Sequence, residues 1–309
     1  MLFCGIDAGG TTTSVVVCNE RGEVLGSFKA GSINHYGIGI EKARENYTFI
    51  KAQLIGLLGY EPDITYIGNS ALEGEATDEQ VKQLVHGIFE KKVFMHSDVY
   101  IALLGFTQGA SGALLISGTG SMACAIDKEG NYHTSGGWGQ ILGDEGSGYH
   151  LGLNGIQAAL QFHDQMAPPT LLLERLMDFY KLNRSTDLIE IVYAPSLEKG
   201  IIASFAIEVE KAALQGDKVS IRLMDDEVEW LFRLSKSIIN KSGVKNLGLY
   251  GSMLVKSQII GPRLLSRYSG SDVKLSYPQF KPEIGALFGA FSCENILLNE
   301  EITANLSLY

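Results

Sequence analysis

The sequence is poor in cysteine and proline, with 4 and 7 of its 309 residues. The four cysteines are far apart and form no C-x-x-C pair, which argues against a disulfide framework and against a zinc site. They are Cys4, Cys18, Cys124 and Cys293. No stretch reaches the ~18 uninterrupted apolar residues of a membrane-spanning helix, and the first residues lack the basic and apolar segments of a signal peptide. These absences predict a cytoplasmic protein.

The sequence also lacks an excess of positive charge. Its 25 basic and 35 acidic residues give a net charge of −10, and no run of Lys or Arg is longer than two. This balance argues against binding to the phosphate backbone of a nucleic acid. An anionic substrate would therefore need main-chain dipoles or a metal ion to hold it.

Glycine, in contrast, is abundant and unevenly spread. The chain has 36 glycines, about 12% where ~7% is usual. Ten of the 35 residues from 118 to 152 are glycine, which predicts turns with a functional role in that stretch. A length of 309 residues with 45% apolar content predicts two domains of roughly 150 residues, since it exceeds what one hydrophobic core usually serves.

The hydrophobic pattern predicts alternating strands and helices. Three short strands, at 2–6, 14–18 and 23–28, are separated by polar turns that contain glycine. Residues 38–58 then carry apolar positions at helical spacing, and a capping-box pair at Thr77 and Gln80 begins another helix. This alternation predicts an α/β layer built on a mixed sheet.

The second half of the chain repeats the start of the first. In both copies a strand enters a glycine turn, a second strand leaves it, and a polar glycine turn leads to a third strand. A shift of 108 residues places Gly10 on Gly118, Thr13 on Ser121, Val17 on Ala125, Asn19 on Asp127 and Gly22 on Gly130. The repeat predicts a duplicated α/β fold with a cleft between its halves.

The first glycine turn predicts a phosphate site. Its residues are Asp7, Gly9, Gly10, Thr11, Thr12 and Thr13. Glycines allow positive φ and close approach of the backbone, so that successive N–H groups point at an anion, and Asp7 could hold a Mg²⁺-bound water. An ordinary tight hairpin explains the turn equally well. No G-x-x-x-x-G-K-[ST] motif occurs in the sequence.

The second glycine turn has two interpretations. Its residues are Gly118, Thr119, Gly120 and Ser121. With Ala123 they fit the dinucleotide fingerprint G-x-G-x-x-A, which should open a helix. The segment 122–126 is apolar and breaks at a polar turn, so we expect a strand there instead. The turn is then the counterpart of the first and a second phosphate-binding element.

Asp98 follows the predicted strand 93–95, and the carboxyl ends of strands are where α/β sheets gather ligands. A carboxylate there could act as the general base of a phosphoryl transfer. Alternatively, Asp98 is the N-cap of a helix from Val99, and the sequence leaves these two roles open.

The stretch 135–148 combines one tryptophan and two acids with many glycines. Trp138 offers an apolar face and Asp144 offers hydrogen-bond acceptors, a pairing that suits a sugar. The alternative makes Trp138 a core residue and makes Asp144 and Glu145 helix N-terminal acids.

Taken together, six motifs resemble the N-acetylglucosamine kinase group of the BadF/BadG-type ATPases, in the actin-like, hexokinase and heat-shock-chaperone superfamily. They are D-A-G-G-T-T-T (7–13), S-I-N-H-Y (32–36), S-D (97–98), S-G-T-G-S (117–121), G-G-W-G-Q-I-L-G-D-E-G-S (136–147) and Y-G-S (250–252). The resemblance implies a duplicated actin-like (ribonuclease H-like) α/β fold whose two domains flank an ATP and sugar cleft. It implies a sugar-binding domain at 1–112, completed by a C-terminal helix at 284–309, and a nucleotide-binding domain at 113–283.

The resemblance also implies roles for individual residues. The two glycine turns would hold the phosphates of ATP, and Gly251 with Ser252 would lie against adenosine. Asn34, Gly137, Trp138 and Asp144 would form the amino-sugar pocket. Asp98 would deprotonate the 6-hydroxyl, and Asp7 would position Mg²⁺ through water.

The expected activity is ATP-dependent phosphorylation of N-acetylglucosamine, with N-acetylmuramic acid and glucosamine as further acceptors, in a homodimer. The alternative from the same superfamily is an ATP-driven activator of a 2-hydroxyacyl-CoA dehydratase or benzoyl-CoA reductase type of enzyme. Such an activator binds an iron–sulfur cluster between two subunits through cysteines.

Overall fold

The computed structural model describes residues 1–194 and 199–309. It divides into two compact units, which we call unit 1 (Met1–Gly112 with Pro278–Tyr309) and unit 2 (Ala113–Tyr277). The second division lies at Tyr277 and not at 283, because Phe280 already belongs to the core of unit 1. Within the described ranges, no helix is long and apolar enough to cross a membrane.

Each unit contains one five-stranded mixed sheet. In unit 1 the strands are β1 (Leu2–Ala8), β2 (Thr12–Asn19), β3 (Val24–Gly31), β4 (Ile64–Asn69) and β5 (Lys92–His96), in the order β3-β2-β1-β4-β5. The strands joined by short turns pair antiparallel, and those joined through helices pair parallel.

The sheet of unit 2 has the same topology. Its strands are β6 (Gly112–Ser117), β7 (Ser121–Ile126), β8 (Tyr132–Gly136), β9 (Asn246–Tyr250) and β10 (Lys274–Ser276), in the order β10-β9-β6-β7-β8. The order β3-β2-β1-β4-β5 therefore recurs strand for strand, and the prediction of a duplicated α/β fold is confirmed.

The turns after β2 and β7 repeat at the level of hydrogen bonds. In one, the Asn19 side chain accepts from the N–H groups of Arg21 and Glu23. In the other, Asp127 accepts in the same way from Glu129 and Asn131. The duplication thus extends beyond strand order to the chemistry of one turn.

Fourteen helices surround the two sheets in the described ranges, together with one 3₁₀ turn at Ser185–Asp187. In chain order they are α1 (His35–Ile38), α2 (Ile40–Leu58), α3 (Asp78–Val85), α4 (Asp98–Thr107), α5 (Gly148–His163), α6 (Leu172–Tyr180), α7 (Leu188–Val192), α8 (Lys199–Ser204), α9 (Ala206–Leu214), α10 (Lys218–Ser242), α11 (Ser252–Val255), α12 (Ile260–Arg267), α13 (Pro282–Cys293) and α14 (Glu300–Ser307). The capping box predicted at Thr77 and Gln80 is present at the start of α3.

The alternation of side chains along β1 divides the core of unit 1 into two layers. Phe3 packs on one face with Leu287 of α13 and Ile101 of α4. Cys4 and Ile6 pack on the other face in a cluster that includes buried residues of α2. A sheet covered by helices on both sides results.

Gly5 allows α13 to contact β1 directly. A Cβ at this position would lie 2.3 Å from the carbonyl oxygen of Glu283 and 2.9 Å from the backbone nitrogen of Leu287. We expect Gly5→Ala to destabilise the protein by about 1–3 kcal/mol, because the helix would have to move away from the strand.

The matched control is Gly56→Ala in α2, where nothing lies within 4 Å of an added Cβ. This change should leave stability unchanged or raise it by up to about 1 kcal/mol, since alanine favours the helix. Equal effects of the two substitutions on denaturant unfolding would contradict the close packing of α13 on β1.

Candidate active site

The first glycine turn joins β1 to β2 and exposes only part of its predicted phosphate-binding set. Gly10, Thr11 and Thr12 are exposed, and Gly9 donates its N–H to the Thr12 carbonyl at 3.1 Å. Thr13 is buried, and its hydroxyl donates to the Gly31 carbonyl. The hydroxyl of Thr13 therefore links β2 to β3, whereas the three exposed residues are accessible to a ligand.

The glycines of the two turns do not need unusual backbone angles. Gly9, Gly10, Gly118 and Gly120 all lie outside the left-handed region, so these turns do not use the positive φ that glycine allows. What matters at Gly120 is the missing side chain, because a Cβ there would lie 3.0 Å from Oδ1 of Asp144.

Asp7 lies near the carboxyl end of β1 and Asp98 just after that of β5, the two strands that pair parallel with β4 on either side. Asp7 lies in β1 opposite Gly68 of β4, and a Cβ on Gly68 would lie 3.2 Å from Cα of Asp98. Burial, followed by the nearby carboxylates of Asp98 and Glu283, raises the pKa of Asp7 to about 7. Sequence reasoning missed Glu283, because nothing in its local pattern shows that it is buried beside Asp7.

Asp98 is not the N-cap of its helix, so that alternative is wrong. Ser97 caps α4 by accepting from the backbone N–H of Tyr100, and Asp98 is the first helical residue. One carboxylate oxygen of Asp98 accepts from the N–H of Val99 at 2.8 Å. Burial raises the pKa of Asp98, as suits a carboxylate that exchanges a proton.

The side-chain amide of Asn34 makes most of its possible hydrogen bonds within unit 1. Its Oδ1 accepts from the N–H groups of Tyr36 and Gly37, which caps α1, and its Nδ2 donates to Ser70. One N–H of the amide is left over, so Asn34 can donate to a ligand but has little capacity to accept. A cavity of about 540 Å³ borders this network and includes Tyr36, Ser70 and Glu73 in its lining.

In unit 2 the second glycine turn joins β6 to β7. Because β7 is a strand and not a helix, the dinucleotide interpretation is wrong. The turn lies against the β9–α11 junction, where a Cβ on Gly251 would be 2.3 Å from the Ser117 carbonyl oxygen. Ser252 is the first residue of α11. The predicted nucleotide residues of unit 2 are thus brought together.

The segment before α5 is attached to the second glycine turn by side-chain hydrogen bonds. Ser121 donates its N–H to Oδ1 of Asp144 at 3.2 Å and its hydroxyl to the Glu145 carbonyl at 2.6 Å. Ser117 donates its hydroxyl to the Gly146 carbonyl at 2.5 Å. Both serines of the turn therefore position residues 144–146.

Asp144 has an unsatisfied oxygen. The residue is 5% exposed, it adopts the left-handed φ of 65°, and its Oδ2 is buried without a hydrogen-bond partner. The helix α5 begins later, with Ser147 as its N-cap, so the interpretation of Asp144 and Glu145 as first-turn acids is wrong. A buried carboxylate oxygen without a partner in the protein needs a donor from outside the chain, such as a water or a ligand.

Trp138 is not a core residue, since it is 73% exposed. Gly137 and Gly139 on either side of it adopt φ of 76° and 79°. Ile141 and Leu142 in the same loop are also exposed. The loop therefore presents an apolar surface that a sugar face could cover.

Sequence reasoning also missed Glu227 of α10 and His150 of α5. Glu227 is fully buried; it accepts from the N–H of Gly146 at 2.6 Å and lies 2.7 Å from Nδ1 of His150. This hydrogen bond raises the pKa of His150, whereas burial raises that of Glu227. The sequence offered no signal, because the two residues are 77 positions apart.

Comparison with known proteins gives a consistent picture. The model of the BadF/BadG/BcrA/BcrD ATPase family matches residues 4–290. The chain is 31% identical to an N-acetylmuramic acid/N-acetylglucosamine kinase of Clostridium acetobutylicum over 78% of this chain and 80% of that protein. It is 29% identical to an N-acetyl-D-glucosamine kinase of Dictyostelium discoideum, over 90% and 91% of the two chains.

Two solved structures show the same fold. A candidate N-acetylglucosamine kinase of Chromobacterium violaceum superposes with a TM-score of 0.74 at 22% identity, covering 93% of this chain and 97% of that one. A ROK family glucokinase of Streptomyces griseus superposes with a TM-score of 0.54 at 15% identity, covering 94% and 98%. The predicted actin-like, sugar-kinase type of duplicated fold is confirmed.

The pair of Glu227 and His150 predicts a pH dependence of stability. Both groups have a higher pKa in the folded chain than their ordinary values of 4.5 and 6.5, so the folded state binds more protons than the unfolded one. The contribution of His150 is complete below pH ~6.5 and is lost as the pH rises through its raised value. Asp144 and Glu145 act on His150 in the same direction.

In Glu227→Gln this dependence should weaken, because His150 loses the largest cause of its raised pKa while burial still lowers it, and position 227 no longer titrates. Thermal unfolding between about pH 6 and about pH 9 should show a steeper loss of Tm for the unchanged protein than for the variant. Parallel curves would show that the pair does not titrate as described.

Proposed function

Because this chain belongs to the BadF/BadG/BcrA/BcrD ATPase family, whose model matches residues 4–290, we propose that it is an ATP-dependent amino-sugar kinase. The acceptor is the 6-hydroxyl of N-acetylglucosamine. The observation that carries this proposal is the half-buried Asp98, with a raised pKa, near Asp7 at the carboxyl ends of the parallel strands of unit 1. Relatives named as kinases of N-acetylglucosamine, N-acetylmuramic acid and glucosamine support it.

Asp98 acts as the general base. Its Oδ1 is engaged by the N–H of Val99, which orients the carboxylate and leaves the other oxygen for the proton of the acceptor hydroxyl. A base of this kind contributes about 10²–10⁴-fold to the rate, and the rest comes from positioning and charge compensation.

Magnesium fits the acidic end of unit 1. A Mg²⁺ ion on ATP usually binds one or two carboxylates besides phosphates and waters, and the close carboxylates of Asp7, Asp98 and Glu283 favour a cation nearby. When bound, the ion neutralises charge on the phosphates. Asp7 would hold it through a water.

The remaining contacts to ATP and to the sugar are assigned to groups that the fold leaves accessible or without a hydrogen-bond partner. Gly10, Thr11 and Thr12 in unit 1 and the turn 118–121 in unit 2 bind phosphates, and Gly251 with Ser252 contacts adenosine. The unsatisfied Oδ2 of Asp144 accepts from a sugar hydroxyl or amide, and the exposed ring of Trp138 covers an apolar sugar face. Gly137 and Asn34 complete the amino-sugar contacts, with Asn34 as a donor.

The finer assignments belong to the same proposal. We expect a cytoplasmic homodimer that uses N-acetylglucosamine first and N-acetylmuramic acid or glucosamine second. The activator alternative has less support, because a cluster shared between subunits needs accessible cysteines, and Cys4, Cys18 and Cys124 are buried.

A panel of acceptors tests the reaction. ADP release with ATP and Mg²⁺ should depend on N-acetylglucosamine and should stop when its 6-deoxy analogue replaces it, because the analogue lacks the reacting hydroxyl. The same coupled assay with N-acetylmuramic acid, glucosamine and glucose ranks the acceptors. ADP release that is the same with and without every hexosamine would overturn the kinase proposal.

A further inference from the structure

Residues 144–146 are held between two parts of unit 2. On one side, Ser117 and Ser121 of the second glycine turn bind the carbonyl oxygens of Gly146 and Glu145. On the other side lies α10, which approaches so closely that a Cβ on Gly146 would be 2.7 Å from Cγ of Leu231. The segment therefore has little room to move, and its orientation depends on both contacts.

Glu227 supplies the polar contact on the α10 side. One of its oxygens accepts from the N–H of Gly146 at 2.6 Å and the other is 2.7 Å from His150, on the first turn of α5. Asn154 lies one helical turn further along and contacts the His150 ring at 3.2 Å. Glu227 thus bridges the segment 144–146 to the helix that follows it.

A fully buried carboxylate is a costly way to hold a loop. Removing the charge from water is unfavourable unless partners replace its hydration, and an apolar contact would hold the backbone with less penalty. Glu227 binds the N–H of Gly146, two residues after Asp144, and the ring of His150, six residues after it. Both of its contacts therefore orient the segment that contains Asp144.

We infer that Glu227, paired with His150, is the positioning residue that sets the side chain of Asp144 for the acceptor sugar. The inference rests on the proposed function for the role of Asp144. The strained φ of Asp144, 65°, and its unsatisfied Oδ2 both require a surrounding that keeps this conformation in place.

The second glycine turn depends less on Glu227. Its carbonyl groups at Gly118 and Thr119 accept from the first N–H groups of α5, those of Gly148 and Tyr149, at 2.8 and 3.2 Å. Loss of the Glu227 contact should therefore disturb Asp144 more than the turn that we assign to ATP.

A double-mutant cycle tests this inference. Glu227→Gln should lower kcat/KM for N-acetylglucosamine about tenfold or more, since small misplacements in a site have effects of this order, and should change KM for ATP less than about threefold. In the Asp144→Ala background the same substitution should cost less than about twofold, because residues that act through one another are not additive. Independent, multiplicative losses would overturn the inference.

The matched control is Glu229→Gln, the same change on the same helix, at an ion pair with Arg233 and Arg267 that is not buried. It should leave both kinetic constants unchanged. If Glu227→Gln does not fold, His150→Gln takes its place in the cycle, because His150 is the partly exposed partner of Glu227. The same loss in kcat/KM and the same non-additivity with Asp144→Ala are expected.

Hydrogen exchange supplies a readout that does not need a kinase reaction. Peptides that cover residues 140–150 should exchange faster in Glu227→Gln than in Glu229→Gln, with global unfolding little affected. Unchanged protection in these peptides would overturn the positioning role even in an active enzyme. Faster exchange in a protein that phosphorylates no hexosamine would instead support the contact and reject the proposed function.

Discussion

Main-chain contact between β1, α4 and α13 is the constraint on which unit 1 depends. A Cβ on Gly285 would lie 1.9 Å from the Ile101 carbonyl oxygen, and one on Gly5 would lie 2.3 Å from that of Glu283. Only glycine permits such approach. This close packing places α4 and α13 on one face of the sheet, so that Asp7, Asp98 and Glu283 come near each other. The chain as a whole is also acidic, with a net charge of −10. Burial and the neighbouring carboxylates of Asp98 and Glu283 raise the pKa of Asp7, and a bound cation would lower it.

Close contacts at glycine also shape unit 2, where they surround the second glycine turn. Gly251 lies against Ser117, and Gly146 against Leu231, so that two loops and a helix meet around the second glycine turn. Here the close contacts position Asp144, whose carboxylate has one satisfied and one unsatisfied oxygen. In one duplicated scaffold, the first copy thus holds the proposed general base and the second holds the loops proposed to bind ligands.

Local patterns were sufficient to predict the strands, the two glycine turns and their repetition, because each depends on residues close in sequence. The short helices α1 and α7 were not predicted. The single C-terminal helix expected at 284–309 is wrong, since the structure has two helices there, α13 and α14. Whether Asp98 is a general base or an N-cap was undecided from sequence, since aspartate often caps helices. The structure makes Ser97 the cap, because β5 ends at His96 and α4 begins at Asp98.

Other features depend on contacts between distant segments. Glu227 lies on a long amphipathic helix where an acidic residue is usually exposed, and its burial follows only from the packing of α10 over Gly146. Likewise, composition could not separate a buried Trp138 from an exposed one. In both cases the sequence contains the residue, but only the folded chain shows its role.

The most direct test of the account is the turnover of Asp98→Asn compared with Asp78→Asn. Both residues follow an N-cap at the first position of a helix, but Asp78 is exposed. The account predicts that Asp98→Asn loses about 10²–10⁴-fold in kcat with nearly unchanged acceptor binding, whereas Asp78→Asn keeps full activity. A loss of only a few-fold at Asp98 would contradict its role as the base.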